Sequence, residues 1–308
     1  MMSYAFVFPG QGSQSIGMMA DMAAQYPMVK STFEEASDAL GYDLWKVTQG
    51  GPEEKLNQTD VTQPAMLTAG IATYRVLKAE KSLAPAYMAG HSLGEYTALV
   101  AAGVLDLAQG VKLVETRGRL MQSAVPAGEG AMAAILGLED QQIIDICAKV
   151  DGVVEAVNFN SPGQVVIAGA KAAVDAALPL FEEAGAKRVV PLAVSVPSHC
   201  SLMKPAADAL SETLAAMEFN APSVPVIHNA SVQSFSDVAA IKQALVEQLY
   251  RPVQWVKTVE AMKANGVEKL FELGPGKVLM GLNRRIDKGM GIMAVYDADS
   301  VAKALETL

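Results

Sequence analysis

The sequence predicts an α/β protein in which a large domain with a parallel sheet carries a small inserted domain. Two observations predict this class. In the first and last parts of the chain, short apolar segments alternate with longer segments of helical periodicity. The middle instead has the order strand–helix–strand–strand–helix–strand. We therefore expect residues 1–126 and 195–308 to form the large domain, and residues 127–194 to form the inserted one.

The N-terminal part begins with a predicted strand at residues 4–8, Y-A-F-V-F, which is ended by the turn sequence P-G-Q-G. One helix is predicted from about Gly17 and another from about Ser31, where S-T-F-E fits a capping box. The next elements continue the alternation, with a helix over 62–80, a strand over 86–89, a helix from Gly90 and a helix over 106–122. Parallel strands need crossovers of this kind, so the order favours a parallel sheet.

The inserted domain follows a predicted linker at residues 126–130, P-A-G-E-G. Its predicted elements are a strand over 131–137, a helix over 139–149, strands over 153–159 and 164–169, a helix over 170–184 and a strand over 188–192. This βαββαβ order is typical of a ferredoxin-like unit.

A loop at residues 195–199 leads back into the large domain. The predicted elements there are a helix over 201–217, a strand over 224–227, helices over 238–249 and 253–265, a strand over 269–273, a helix over 277–286 and a strand over 291–295. The return of strand–helix alternation is the reason for treating residues 127–194 as an insertion.

Composition and charge exclude several classes of function. A formal net charge of −9 disfavours sequence-independent binding to nucleic acid, which depends on Lys and Arg. No apolar run reaches the roughly 18 residues of a membrane helix. Cys147 and Cys200 form neither a disulfide framework nor a CxxC site, and no His, Asp or Glu cluster has metal-ligand spacing. We expect a cytoplasmic protein with no membrane segment, nucleic-acid partner or metal.

The strongest local motif is the segment 90–94, G-H-S-L-G, which fits G-x-S-x-G between a predicted buried strand and a predicted helix. This context is typical of a nucleophile elbow, in which small residues allow a tight turn that exposes the serine hydroxyl. The N–H groups at the start of the following helix can stabilise an oxyanion. Ser92 is therefore the candidate nucleophile.

A serine nucleophile needs a base, and the chain has 3 histidines. His91 adjoins Ser92 on the elbow, where neighbouring side chains point apart, so a structural role is favoured. His199 lies in a proline-containing loop before a helix, and His228 follows a predicted short strand. The residues favour His199 as the base and leave His228 as a competitor.

Arg117 stands out when residues 106–122 are placed on a helical wheel. It falls within the apolar arc of this helix, whereas Arg119 falls outside it. An inward guanidinium needs a partner because an unpaired buried charge is costly. Two partners remain open, a buried carboxylate of the protein or a substrate carboxylate that accepts two hydrogen bonds.

Motifs along the whole chain resemble those of the malonyl-CoA:acyl-carrier-protein transacylases of bacterial type II fatty acid synthesis. They are F-V-F-P-G-Q-G-S-Q at 6–14, G-H-S-L-G-E at 90–95, E-T-R-G at 115–118, N-F-N-S-P-G-Q at 158–164, V-P-S-H-C at 196–200, Q-L-Y at 248–250 and E-L-G-P-G at 272–276. The resemblance implies an α/β-hydrolase-like large domain, a ferredoxin-like small domain and an active site between them.

The resemblance also implies a role for each site residue. Ser92 would carry the acyl group, and His199 would act as base and then as acid, which removes His228 from the competition. The other implied roles are orientation of His199 by the backbone carbonyl of Gln248, an oxyanion hole from the N–H groups of Gln11 and Leu93, and recognition of the malonyl carboxylate by Arg117.

The implied reaction moves a malonyl group from malonyl-CoA to Ser92 and then to the phosphopantetheine thiol of acyl carrier protein. The resemblance implies a monomer and no cofactor besides these substrates. Such carrier proteins are acidic, as this chain is, so docking requires a local basic patch. The candidate docking residues are Arg284, Arg285 and Lys288, with a second cluster at Lys187 and Arg188.

Two other functions share parts of this pattern. A serine hydrolase would share the elbow, the base and the oxyanion hole, and Arg117 with the end-to-end resemblance disfavours it. A carrier-binding scaffold would have a vestigial site, and the intact set of Ser92, His199 and Arg117 disfavours that reading.

Overall fold

The computed structural model describes residues 2–194 and 196–308 of the chain. Ser195, where the predicted loop 195–199 and the second segment of the predicted large domain begin, lies outside the described residues. No helix within the described ranges is both long enough and apolar enough to cross a membrane.

The strands form a parallel sheet and a smaller antiparallel sheet. In chain order they are β1 Tyr4–Phe8, β2 Tyr87–Gly90, β3 Gly130–Leu136, β4 Val154–Ser161, β5 Gln164–Ala170, β6 Arg188–Pro191, β7 Val226–Ile227, β8 Lys269–Leu273 and β9 Gly291–Val295. The parallel sheet has the order β7-β2-β1-β8-β9. The antiparallel sheet has the order β4-β5-β3-β6.

The α-helices connect and cover these strands. In chain order they are α1 Ala20–Gln25, α2 Met28–Leu40, α3 Leu44–Gly50, α4 Glu53–Leu56, α5 Thr59–Glu80, α6 Leu93–Ala101, α7 Leu107–Ala124, α8 Asp140–Cys147, α9 Lys171–Glu183, α10 Lys204–Ala215, α11 Val238–Gln248, α12 Trp255–Ala264, α13 Val278–Ile286 and α14 Ala298–Thr307. The predicted alternation of strand and helix is thereby confirmed, as is the βαββαβ order from β3 to β6.

Helices cover both faces of the parallel sheet. On one face, Phe6 of β1 packs in a core that includes Leu67 of α5. On the other face, Val7 packs in a core that includes Trp255 of α12. Strands buried on both faces are apolar throughout, which explains why β1 is a continuous apolar run rather than an alternating one.

The backbone of Val253 pairs with β4 of the antiparallel sheet. Its N–H donates to the carbonyl of Val157 at 2.8 Å, and its carbonyl accepts from the N–H of Phe159 at 3.0 Å. Helices α8 and α9 cover the opposite face of this sheet around Phe181. Main-chain hydrogen bonds thus hold β4, an edge strand of the antiparallel sheet, against the segment that leads into α12.

The predicted capping box at Ser31 is wrong. Helix α2 begins at Met28, and the Ser31 hydroxyl lies inside it, donating to the carbonyl of Met28 at 3.0 Å. Pro27 stands directly before the helix, and its fixed φ together with its missing N–H suits a helix start. Helices α3, α4 and α14 have no counterpart among the predicted elements.

Candidate active site

The predicted elbow joins β2 to α6, with Ser92 directly before the first residue of the helix. Ser92 has φ 51° and ψ −110°, a strained conformation for a residue with a side chain. A Cβ at Gly90 would lie 2.0 Å from the carbonyl of Gly94, and one at Gly94 would lie 2.1 Å from the carbonyl oxygen of Phe8. Glycine at both positions therefore permits the turn that projects Ser92 outward.

Ser92 lines a cavity of about 290 Å³ between the two sheets. The cavity lies beyond the carboxyl ends of β1 and β2, where parallel sheets commonly form binding sites. The antiparallel sheet contributes Met132 and Asn158. The predicted site residues that line the cavity with Ser92 are Gln11, Leu93, Arg117 and His199.

His199 is hydrogen-bonded through both ring nitrogens. Nε2 lies 2.8 Å from Oγ of Ser92, and Nδ1 lies 2.7 Å from the backbone carbonyl oxygen of Gln248. Because a carbonyl only accepts, Nδ1 carries the proton and Nε2 is left to accept from the serine hydroxyl. Burial, followed by the positive charge of Arg117, lowers the pKa of His199 to about 3. The neutral imidazole that a general base requires is therefore present near pH 7.

The end of α11 holds both the ring and the backbone of His199. Gln248, its last residue, accepts the ring Nδ1–H, and the carbonyl of Leu249 accepts the His199 N–H at 3.1 Å. His199 itself has φ 66°. Main-chain acceptors thus hold His199 in a backbone conformation with positive φ, which is uncommon for residues other than glycine.

Arg117 of α7 is buried, 1% exposed, as the helical wheel predicts. Its Nη1 donates to Oε1 of Gln63 at 2.8 Å, and its Nη2 donates to Oε1 of Gln248 at 3.0 Å and to Oγ of Ser92 at 3.3 Å. The guanidinium lies 5.2 Å from the ring centre of Tyr96. Within the described residues it forms no ion pair. Its acceptors are neutral, which suits it to an incoming carboxylate.

The loop after β1 packs directly on the elbow. A Cβ at Gly10 would lie 2.6 Å from the backbone oxygen of His91, so only glycine allows this approach. Leu93 is the first residue of α6. The first N–H groups of a helix have no partner within it, so Leu93 can donate to a ligand. Gln11 and Leu93 both line the cavity.

His228 belongs to a buried cluster behind the elbow. Its Nδ1 lies 2.6 Å from Oε1 of Glu95, whose Oε2 accepts from the N–H of Asn229 at 2.8 Å. Asn229 in turn donates through Nδ2 to the carbonyl of Gly90 at 2.6 Å and accepts from the N–H of Ser92 at 2.7 Å. The structure thus places His228 behind the elbow and His199 at the serine hydroxyl.

His91 points away from Ser92 and contacts the antiparallel sheet. Its Nε2 lies 2.7 Å from Oδ1 of Asn160, and its ring centre lies 5.7 Å from that of Trp255. Burial lowers the pKa of His91, so its ring stays neutral. These contacts fit the structural role that its position on the elbow predicts.

Gln63 and Asn229 are buried polar residues of the site that were not predicted from the sequence. Gln63 lies on the buried side of α5 and is 1% exposed, and a helical wheel of α5 would have shown it among apolar neighbours. Asn229 follows the two-residue strand β7, and no local pattern distinguishes it from an ordinary loop residue. Only the strand order β7-β2-β1 shows that Asn229 lies beside the elbow.

The sequence and the fold are both similar to those of known acyl transferases. Residues 5–287 match the acyl transferase domain family. The chain is 60% identical over 308 residues to the malonyl CoA-acyl carrier protein transacylase of Escherichia coli strain K12, covering 99% of this chain and 100% of that one. The chain belongs to this transacylase family. It is therefore an acyltransferase.

Solved transacylase structures have the same fold. An acyl carrier protein S-malonyltransferase from Vibrio cholerae superposes with a TM-score of 0.96 at 60% identity, covering 98% of this chain and 99% of that one. A malonyl-transacylase solved in complex with its holo type II PKS acyl-carrier protein superposes with a TM-score of 0.98 at 55% identity, covering 99% of this chain and 100% of that one. The α/β architecture with its second, smaller sheet is shared with these transacylases.

Proposed function

We propose that this transacylase moves a malonyl group from malonyl-CoA to the phosphopantetheine thiol of acyl carrier protein, by a ping-pong mechanism that supplies fatty acid chain elongation. The observation that carries the proposal is the buried guanidinium of Arg117, which lies 3.3 Å from Oγ of Ser92 and has neutral acceptors. An acyl group that carries its own carboxylate complements this arrangement. The names of the relatives support the same substrates.

In the first half-reaction, Oγ of Ser92 attacks the thioester carbonyl of malonyl-CoA. Nε2 of His199, 2.8 Å away, accepts the hydroxyl proton. The developing oxyanion accepts hydrogen bonds from the N–H groups of Gln11 and Leu93. The carbon–sulfur bond then breaks, and CoA leaves as a thiol with the proton returned by His199. The product is a malonyl ester of Ser92.

In the second half-reaction, the phosphopantetheine thiol of the carrier protein attacks this ester. His199 accepts the thiol proton and returns a proton to Oγ of Ser92 as the carbon–oxygen bond breaks. Arg117 holds the malonyl carboxylate throughout both steps, which orients the carbonyl carbon toward the attacking atom. Both steps use the same base and the same oxyanion hole.

We also propose that the chain forms two domains. Residues 1–126 and 195–308 form an α/β-hydrolase-like domain, supported by the strand–elbow–helix at Ser92. Residues 127–194 form a ferredoxin-like domain, supported by the βαββαβ order and the strand order β4-β5-β3-β6.

We propose a carrier docking site on one basic patch, whose exposed cations are Lys187, Arg188, Arg284, Arg285 and Lys288. Arg285 donates to Oε1 of Gln164 at 2.8 Å. Leu136 pairs with Gln164 in β5 and with Arg188 in β6. These contacts support the proposal that the two predicted clusters belong to one patch. A local positive surface of this kind can attract an acidic partner to an acidic protein.

The test is intact-protein mass spectrometry after brief exposure to malonyl-CoA, followed by peptide mapping and addition of holo acyl carrier protein. Wild type is expected to gain a malonyl group on the Ser92 peptide and to lose it to the carrier thiol. The matched control, Ser92→Ala, is expected to gain none. Consumption of malonyl-CoA to free malonate, with no adduct and no transfer, would establish a hydrolase instead.

A further inference from the structure

Glu95 is a buried carboxylate on the first turn of α6, 0% exposed. Its Oε1 lies 2.6 Å from Nδ1 of His228. Its Oε2 accepts from the N–H of Asn229 at 2.8 Å and from Nε2 of Gln248 at 3.0 Å. A buried charge is costly unless it is hydrogen-bonded. These donors satisfy both oxygens and hold Glu95 in one place, although the proposed mechanism gives it no task.

The carboxamide of Gln248 lies between Glu95 and Arg117. Its Nε2 donates to Glu95 and to the carbonyl oxygen of Ser92 at 2.9 Å, while its Oε1 accepts from Nη2 of Arg117 at 3.0 Å. A carboxylate has no donor and a guanidinium has no acceptor. Only this orientation of the carboxamide therefore suits both charged neighbours.

We propose that Glu95 is a positioning residue for Arg117, acting through Gln248, and that it thereby sets the preference for acyl groups that carry a carboxylate. The inference rests on the proposed function because it concerns the malonyl site. Glu95 fixes the carboxamide, and the carboxamide fixes the guanidinium beside Ser92. The chain of contacts runs from carboxylate to amide to guanidinium without a direct ion pair.

The separation of the two charges matters for binding. A direct ion pair between Glu95 and Arg117 would satisfy the guanidinium internally, and a substrate carboxylate would have to displace it. With Gln248 between them, the negative charge still stabilises the buried cation. Nε of Arg117 is buried and has no hydrogen-bond partner within the described residues. Arg117 also lines the cavity, so its guanidinium is stabilised and still able to bind a further carboxylate.

The test compares malonyl-CoA and acetyl-CoA as acyl donors for Ser92, with adduct formation timed by intact-protein mass spectrometry. Glu95→Gln keeps the size of the side chain but adds an amide donor. The Gln248 carboxamide can then reverse and turn Nε2 toward Arg117, which repels the guanidinium. We expect malonyl adduct formation to slow at least about tenfold, the size expected for a lost hydrogen bond to a charged group. Acetyl adduct formation should slow much less.

The matched control is Glu115→Gln on α7. Glu115 pairs with Arg119 on the outer side of the helix, 2.9 Å away, so its variant should leave the ratio of malonyl to acetyl rates unchanged. An unchanged malonyl rate in Glu95→Gln would overturn the proposal, as would equal losses for both donors. Equal losses are the result expected of a merely structural role. Wild type that forms no malonyl adduct would instead defeat the proposed function itself.

A second variant covers the case in which Glu95→Gln does not fold. The double substitution Glu95→Gln with Gln248→Glu keeps the total charge but moves the carboxylate next to Arg117. We expect the internal ion pair to abolish the malonyl preference. A thermal melt shows whether the double variant folds. If it folds and keeps the malonyl preference, the proposed role of Glu95 is contradicted.

Discussion

The ring of His199 and the backbone carbonyl of Gln248 are joined by a hydrogen bond of 2.7 Å. A backbone acceptor orients the imidazole as an aspartate would, but it brings no negative charge to stabilise the protonated ring. Burial and the nearby cation of Arg117 both lower the pKa of His199, and no carboxylate partner among the described residues raises it. The pKa of His199 therefore falls to about 3. Each role of Gln248 uses a different part of the residue, its carbonyl for His199 and its carboxamide for Arg117.

This pKa predicts an acid-tolerant first half-reaction. We expect kcat/KM for acylation of Ser92 to stay nearly constant from about pH 8 to about pH 5, because His199 remains unprotonated far below the ordinary imidazole pKa of about 6.5. Single-turnover mass spectrometry across this range measures it. A rate that halves near pH 6.5 would show that His199 titrates normally in the free enzyme.

The same shift predicts how stability depends on pH. In the unfolded chain His199 gains a proton near its ordinary pKa of about 6.5, whereas in the folded chain it resists protonation down to about 3. The unfolded state therefore binds more protons between these values, and the free energy of unfolding decreases as pH falls through this window. Urea unfolding of wild type and His199→Gln at several pH values should show a weaker decrease for the variant.

Arg117 and Arg119 form a matched pair for testing acyl recognition. They lie on the same helix, but Arg117 is buried whereas the side chain of Arg119 is 61% exposed. We expect Arg117→Ala to lower kcat/KM for malonyl-CoA by about 10- to 100-fold, because a substrate carboxylate loses its charged partner. Arg119→Ala should change it by less than about twofold, since exposed ion pairs contribute little. Equal effects of the two substitutions would place recognition elsewhere.

Charge reversal tests the basic patch. We expect Arg284→Glu with Arg285→Glu to raise KM for holo acyl carrier protein several-fold at low salt, because positive charge no longer steers the acidic partner. Acylation by malonyl-CoA alone should be unaffected. The control, Lys78→Glu with Lys303→Glu, makes the same charge change at exposed positions outside the patch. Identical carrier kinetics in both double variants would exclude this docking surface.

Gly90 and Gly281 test the packing of the elbow. A Cβ at Gly90 would lie 2.0 Å from the carbonyl of Gly94, whereas a Cβ at Gly281 meets nothing within 4 Å. Gly90→Ala is expected to lower the free energy of unfolding by about 1–3 kcal/mol, the usual cost of overpacking. Gly281→Ala, in the middle of α13, should raise it by about 0.5–1 kcal/mol. Thermal and urea unfolding measure the stability of both variants against wild type. Equal stability of the two variants would contradict this prediction.

Local signals predicted the elements that they control. Strand β1 was predicted at residues 4–8 and β8 at residues 269–273, the bounds that the structure shows. Strand β1 is an apolar run ended by proline, and β8, K-L-F-E-L, is ended by glycine, so neighbouring residues specify both ends. The predicted start of α2 was wrong because two helix-start signals lie close together there. Pro27, and not Ser31, determines the boundary.

Arg117 and the two competing histidines show the limit of sequence reasoning. The period of α7 depends only on local geometry, so the inward direction of Arg117 could be predicted from the sequence. Whether His199 or His228 faces Ser92 could not be predicted without the resemblance. Nε2 of His199 meets Oγ of Ser92 across 107 positions of sequence, and no local pattern specifies such a contact.

The sequence by itself determined the α/β class, the elbow at Ser92 and the buried cation at Arg117, because strand alternation, glycine spacing and helical period act over a few residues. The tertiary structure decided which polar groups meet. It placed Gln248 between Glu95 and Arg117, and Asn229 against the backbone of Ser92. These contacts join elements far apart in the chain, and their geometry follows from strand order and from how the helices pack on the sheet.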